Sequence, residues 1–150
     1  MYYYIIKNDK ELRIKMSLEN IIDELLDIEQ NVYGVAIIGK DGSLVRQTEN
    51  WDISGDLNKD EGLNILLQTK LELGQKGMTS IVIQGVKYMI VENTEERKIA
   101  TNITGKGHVI ICPIPIGGTG ALVCYINPQV GPRDALFAIQ EYAKKLSTLL

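Results

Sequence analysis

Three features of this sequence have residue types that could support chemistry, and all lie in its last third. The stretch IPIGGTGAL at residues 114–122 holds three glycines within four residues, as do some loops that cradle a phosphate. Cys112 and Cys124 flank this stretch and could form a redox pair. His108, the one histidine of the chain, could act as a general base. A nucleotide-binding or redox enzyme is therefore one hypothesis for this chain.

The residues that follow the glycines predict a turn rather than a phosphate loop. The segment ALVCYI at 121–126 is β-branched and aromatic, which indicates a strand. A phosphate loop instead opens a helix, whose N-terminal amides hold the anion. The spacing also matches neither GxGxxG nor GxxxxGK followed by Ser or Thr. We therefore predict a long, exposed hairpin tip, with strand pairing interrupted near it because Pro113 and Pro115 cannot donate hydrogen bonds.

The cysteines and the histidine also have simpler interpretations. Free cysteine packs as a small hydrophobic residue, so buried thiols and a redox pair both remain open for Cys112 and Cys124. His108 opens a strand, and neither a nucleophile nor an orienting carboxylate is marked for it. One histidine and two cysteines do not assemble the usual zinc sites. We predict no catalytic residue, no metal site and no cofactor.

Length and charge restrict the class of protein. The chain has 150 residues, enough for one domain with a well-formed core. Its net charge of −3 argues against a nucleic-acid partner, because such proteins usually carry a basic face. No apolar run approaches the roughly 20 residues of a membrane span, and charges interrupt the N-terminus where a signal peptide would need an apolar core. The low cysteine count favours a reducing cytosol.

The first half of the chain predicts two helices and a hairpin. Residues 1–15 read as an N-terminal extension, partly ordered, whose aromatic start is β-prone and favours an added edge strand. Ser17 is a good N-cap for a helix over about 18–29. Asp41-Gly42 joins two β-prone runs into a hairpin. Residues 49–59 read as a loop held to the core by Trp51 and Ile53, and a second helix is predicted from about 60 to 74 or 77.

The second half predicts a meander of about five strands between 78 and 126, then a last helix that starts at Pro132. Sequential strands joined by tight turns pair antiparallel. The predicted class is α+β, with one central antiparallel sheet and the terminal helices on one face.

At this point the sequence resembles the profilin family. Met16-Ser17 opens a helix, and AIIGKDGSL at 36–44 looks like the family's first hairpin. GVKYMIV at 85–91 is similar to a family strand, and GALV at 120–123 looks like the strand before the final helix. The resemblance covers about residues 16–150 and suggests a divergent, archaeal-type member. It implies a profilin-like sheet of about seven strands, with terminal helices on one face and a further helix on the other.

The resemblance also implies a partner, monomeric actin, bound on one face of the protein. The sequence departs from the family where Thr101 and Ile103 stand in place of frequent basic residues. A more apolar contact is expected instead, around Met89, Val91, Ile103 and Phe137. The positions that the resemblance assigns to actin are Lys87, Met89, Ile90, Val91, Thr101, Ile103, Val130, Arg133, Phe137 and Glu141.

A second implied activity is the binding of proline-rich peptides between the terminal helices, which depends on aromatic stacking. The matching positions here are aliphatic, namely Leu18, Ile21 and Val45, and Lys145 stands on the last helix. Tyr2–Tyr4 of the extension, together with Tyr142, are the candidate aromatic replacement. Phosphoinositides are a further implied partner, although the charge pattern favours them little.

The leading hypothesis is thus a non-catalytic, monomeric actin-binding protein that regulates filament assembly in the cytoplasm and cytoskeleton. The alternative is a roadblock- or longin-type module that dimerises or docks small GTPases. A seven-stranded sheet would count against that alternative, since such modules have fewer strands.

Overall fold

A computed structural model describes residues 2–57, 79–116 and 118–150, with side chains from residue 9 onward. In order, the described elements are α1 Tyr2–Ile28, β1 Val32–Ile38, β2 Leu44–Gln47, α2 Ser54–Leu57, β3 Ser80–Ile83, β4 Val86–Asn93, β5 Lys98–Thr101, β6 His108–Ile114, β7 Gly120–Ile126 and α3 Leu136–Ser147.

The seven strands form one antiparallel sheet in the order β2-β1-β7-β6-β5-β4-β3. Strands β3 to β7 follow one another as a meander, which needs only tight turns. The hairpin β1–β2 adds to it through β1, which pairs with β7. This architecture confirms the predicted α+β class and the sheet of seven strands.

The sheet is packed on both faces. On one face, α1 and α3 bury apolar side chains such as Leu25 and Ile139 against β1, β7 and β6. On the other face, Trp51 and Ile53 are buried as predicted, and Leu57 of α2 packs beside them. The terminal helices therefore share one face, as predicted. The loop predicted over 49–59 instead contains the short helix α2. The helix predicted over about 60–74 lies outside the described residues.

The prediction for the N-terminal end of α1 was wrong. The helix runs without a break from Tyr2 rather than starting near residue 18, so the β-prone tyrosines do not form an edge strand. Once the first turn exists, each added residue gains a hydrogen bond at little cost, so a packed helix extends through residues of modest propensity. An ion pair of 2.9 Å between Asp9 and Arg13 supports the extended part.

Helix α3 also begins later than predicted, at Leu136. Residues 132–135 form turns, and the Gly131 amide donates to Asp134 Oδ2 at 3.0 Å. This local side-chain bond offers the backbone an alternative to the first helical turn.

The glycine-rich stretch is a hairpin tip, as predicted. Pairing continues without a register shift through Pro113↔Ala121 to Ile114↔Gly120, so the expected interruption at Pro113 was wrong. Pro113 lies beyond Ile111, the last residue of β6 that pairs with β5. Proline has no N–H to donate, and it is tolerated there because that side of β6 has no neighbouring strand. Thr119 Oγ1 donates to the Lys40 carbonyl at 2.8 Å, which ties this tip to the β1–β2 hairpin.

Candidate functional site

The candidate site is the part of the helix-covered face where β5, β4 and β3 extend past α3. Side chains at alternate positions of a strand share a face, and the registers Met89↔Thr101 and Thr101↔His108 align these three residues across the sheet. Val82↔Lys87 extends the surface toward the sheet edge. These side chains are exposed or half-buried, so this area is available to a partner.

His108 connects this surface to the segment before α3. Its Nε2 lies 2.7 Å from the Val130 carbonyl, which can only accept, so Nε2 carries a hydrogen. Its Nδ1 lies 2.6 Å from Thr101 Oγ1. Sequence reasoning left His108 without a role, because its two partners lie on separate segments that only the fold brings together.

Glu92 organises the charges at the junction of β4 and α3. Its Oε2 lies 3.3 Å from Arg97 Nε and 3.3 Å from Arg133 Nη2. The side chain of Glu92 is mostly buried, so this shared pair is held more firmly than an isolated surface ion pair. It positions Arg133, a residue that the family resemblance assigns to actin.

The same surface also carries large exposed apolar side chains. Ile103 is 81% exposed, Phe137 is 78% exposed and Val91 is 39% exposed. Val91 shares the face of Met89 by strand alternation, and it is the unpaired residue of a bulge where β4 shifts register against β5. We call this surface the sheet–α3 face; its residues are Val82, Lys87, Met89, Val91, Thr101, Ile103, Val130, Arg133, Phe137 and Glu141.

Ile90 does not belong to the sheet–α3 face, although the resemblance assigned it to the contact. It is buried against Ala100 and its neighbours in the core of the opposite face. Successive side chains on a strand point to opposite faces, so Met89 and Ile90 cannot both be exposed on one of them.

The sheet–α3 face continues into a groove beside α3. The groove has a volume of about 510 Å³. Phe137 and Glu141 line one side, and Pro115 and Ile116 of the β6–β7 tip line the other. The long hairpin tip therefore stands next to the surface that the sequence assigned to a partner.

Comparison with known proteins identifies the family. The model of the family described as Profilin matches residues 16–148. The chain belongs to the profilin family. Loki profilin-1 from Lokiarchaeum sp. (strain GC14_75) is 68% identical over 133 residues, which cover 89% of this chain and 97% of that profilin.

Solved structures agree with this assignment. A crystal structure of a LokiProfilin1/rabbit actin complex contains a chain that is 67% identical to this one, with a TM-score of 0.83 over 90% of this chain and 97% of that one. Profilin IB of Acanthamoeba castellanii shares the fold, with a TM-score of 0.60 over 84% of this chain and 93% of that one, at 17% identity.

In this profilin the residues predicted to bind proline-rich peptides do not form an open aromatic site. Leu18 and Tyr142 are buried in the core, and Ile21 is half-buried. Lys145 Nζ lies 4.3 Å from the centroid of the Tyr142 ring and 3.7 Å from Glu24 Oε2. The lysine side chain therefore covers the Tyr142 ring. Val45 is exposed on the edge strand β2.

The two cysteines are buried, free thiols. Burial raises the pKa of Cys112 to about 12 and that of Cys124 well above its usual value. They are not opposite each other, since Cys112 pairs with Leu122 and Cys124 with Ile110. A thiol in this state is a poor nucleophile, which argues against the redox interpretation.

Two further negative findings apply to the described residues. They contain no cluster of three or more histidine, cysteine or acidic side chains that could hold a metal ion. None of their helices combines the length and the apolar character that a membrane crossing requires.

Proposed function

We propose that this profilin binds one actin monomer through the sheet–α3 face and regulates filament assembly without catalysis. The observation that carries the proposal is the exposure of Ile103, Phe137 and Val91 on a surface that also holds the ion pair of Arg133 and Glu92. Large exposed apolar side chains on the same surface as charged ones are typical of a protein interface. The actin complex of a profilin 67% identical to this chain supports actin as the occupant.

The apolar residues supply most of the binding energy in this proposal. Burying a phenylalanine side chain contributes about 2 kcal/mol, and a few large side chains dominate most interfaces. Thr101 and Ile103 replace residues that are often basic in the family, so fewer charge pairs form across the contact. The affinity should therefore depend only weakly on salt.

The proposal also covers the organisation and location of the chain. In this proposal residues 16–150 form the actin-binding domain, and residues 2–15, which lie outside the family match, extend its first helix. We infer a location in the cytoplasm, with the cytoskeleton, because that is where a protein that binds monomeric actin would act. We do not extend the proposal to phosphoinositides, because Arg13, Lys144 and Lys145 each have a carboxylate partner within 4 Å.

A matched pair of valines provides the test. Val91 on the sheet–α3 face and Val45 on β2 are both 39% exposed, but they lie toward opposite edges of the sheet. Val91→Glu should weaken the binding of monomeric rabbit actin roughly tenfold or more, since it places an unpaired charge inside the contact. Val45→Glu should bind actin as the unmodified protein does.

The measurement is the rate of assembly of pyrene-labelled actin at increasing concentrations of each variant, with affinity from titration calorimetry. Circular dichroism checks that both variants fold. The proposal fails if the unmodified protein neither slows assembly nor forms a complex. An equal loss in both variants would instead move the contact away from the sheet–α3 face.

A further inference from the structure

The face of the sheet opposite α1 and α3 carries an aromatic cleft that the sequence motifs did not indicate. It has a volume of about 700 Å³ and lies at the end of the sheet where β1 begins and β7 ends. Four aromatic side chains line it: Tyr33, Trp51, Tyr88 and Tyr125. They come from three strands and one connecting segment, so their convergence is produced by the fold.

The backbone of β1 brings three of these rings into direct contact. Tyr33 is the unpaired residue of a bulge between Val32 and Gly34, and a bulge re-aims its side chain. The Tyr33 and Tyr125 rings touch, with centroids 6.3 Å apart, and Tyr125 also stacks on Trp51 at 5.9 Å. Because no space remains between them, the rings act as one surface on which a flat ligand can lie.

Tyr33 is the most accessible part of this surface. It is 43% exposed, whereas Trp51 is only 4% exposed and supports the surface from below. Tyr125 is half-buried, and its hydroxyl donates to the Lys106 carbonyl at 2.6 Å. The ring surface is thus held in place and remains open to solvent at Tyr33.

Tyr88 places an unused donor in the cleft. Its side chain is only 2% exposed, yet its hydroxyl makes no hydrogen bond within the described part of the chain. Burial raises the pKa of Tyr88 to about 12, so the hydroxyl keeps its proton. A buried hydroxyl without a partner is costly, and an acceptor atom of a ligand would satisfy it.

Two amide side chains place unused acceptors beside the rings. Gln84 Nε2 donates to the Asp52 carbonyl at 2.9 Å, and Asn50 Nδ2 donates to the Tyr33 carbonyl at 2.8 Å. Both amides are therefore fixed through their nitrogens. Their oxygens accept no hydrogen bond from any residue that the structure describes, so they are available to donors of a ligand.

The charge of the cleft favours an anion. Among the described residues that line it, Lys106 is the one charged side chain, and it is exposed and has no ion pair there. A single lysine suits a single phosphate, because lysine binds phosphate as a point charge. A nucleic-acid strand would need a row of cations, which neither this cleft nor the net charge of −3 provides.

We propose that this cleft binds a mononucleotide-type ligand, that is, a flat heterocycle that carries one phosphate group. The base would stack on Tyr33, since every base has a π-face. A base edge has both acceptors and donors, which match the Tyr88 hydroxyl and the two amide oxygens. The phosphate would pair with Lys106. Because the cleft lies on the face opposite the sheet–α3 face, this ligand and the proposed actin partner can be bound together.

Trp51 provides a direct measurement, because it is the single tryptophan of the chain and stacks on Tyr125. Titration of the full chain with adenosine 5′-monophosphate should give a saturable change in tryptophan emission. Adenosine, which lacks the phosphate, should bind roughly fivefold more weakly. Inorganic phosphate alone should leave the emission unchanged, because it has no ring to stack.

Three variants separate the contributions of the ring, the hydroxyl and the charge. Tyr33→Ala should weaken the binding of both the nucleotide and adenosine roughly tenfold by removing the stacking surface. Tyr88→Phe should weaken both about fivefold without lowering the melting temperature, since the hydroxyl has no partner in the free protein. Lys106→Gln should weaken only the nucleotide, to the affinity of adenosine.

The matched control is Lys40→Gln. Lys40 is also exposed and without an ion pair among the described residues, but it lies beyond the opposite end of β1. It should leave the affinity for the nucleotide unchanged. Three results would overturn the proposal: no saturable change at millimolar nucleotide, unchanged affinity in Lys106→Gln, or equal losses in Lys40→Gln and Lys106→Gln. None of these readouts involves actin, so they do not depend on the proposed function.

Discussion

His108 Nε2 donates a hydrogen bond of 2.7 Å to the Val130 carbonyl and thereby fixes the first residue of β6 to the segment that precedes α3. On its other side, His108 Nδ1 is 2.6 Å from Thr101 Oγ1. The two halves of the sheet–α3 face, strand and helix, are thus held in position by one side chain that is itself only half-exposed.

His108→Ala should therefore affect both stability and binding. The Thr101 hydroxyl and the Val130 carbonyl lose their partner, which should lower the free energy of unfolding by about 1–3 kcal/mol. Urea unfolding measures this loss, and actin titration of the folded variant measures the change in affinity. Thr101→Val removes only one of the two bonds and should show a smaller effect. Equal stability of His108→Ala and the unmodified protein would contradict the structural role.

Gly34→Ala should disturb the packing of Trp51. The added methyl would lie 2.7 Å from Trp51 Cβ and 2.9 Å from Cγ, so the indole or strand β1 must move. We expect a loss of about 1–3 kcal/mol in the free energy of unfolding and a red shift of tryptophan emission. Gly55→Ala is the control, because its methyl would meet no atom within 4 Å and alanine favours the helix α2. A destabilised Gly55→Ala, or an unperturbed Gly34→Ala, would contradict this account.

Asp52 should make stability sensitive to acid. Its Oδ1 accepts hydrogen bonds from the Ser54 hydroxyl and amide and from Gln47 Nε2, which lower the pKa of Asp52 from 3.8 to about 2. Because the folded pKa is the lower one, the stabilisation is complete above about pH 4 and is lost as the pH falls from 3.8 toward 2.

Asp52→Asn keeps an oxygen acceptor but cannot titrate. Urea unfolding followed by Trp51 emission should show that the unmodified protein loses more stability between pH 5 and pH 2.5 than Asp52→Asn does. Identical pH dependence in the two proteins would show that these hydrogen bonds do not favour the charged form of Asp52.

Local sequence signals were sufficient where strands that are adjacent in the sequence pair with each other in the sheet. Asp41-Gly42 predicted its hairpin because a tight turn needs φ > 0, and Gly42 has φ 84°. The β-prone residues after the glycine stretch predicted β7 correctly. The start of α1 was missed because local β propensity at Tyr2 carries little weight once a helix is already formed and packed.

Features that depend on several segments were not predictable in this way. Ile90 was assigned by resemblance to the contact, but strand alternation directs it into the core. The stacked rings of Trp51 and Tyr125 belong to residues more than 70 positions apart in sequence. Gly34 is the one signal that could have indicated it, since glycine in a strand often marks close approach of another group.

The pairing of β1 with β7 has a consequence for synthesis on the ribosome. The first strand occupies the interior of the sheet, yet its neighbour β7 ends at Ile126, about 90 residues later. At ribosomal speeds, roughly 5 to 20 seconds pass before that strand is made. Until then, β1 presents an unpaired edge and the apolar row that includes Val35 and Ile37 lacks its partners. We therefore expect the nascent chain to be most prone to aggregation during this interval, before β7 covers the edge of β1.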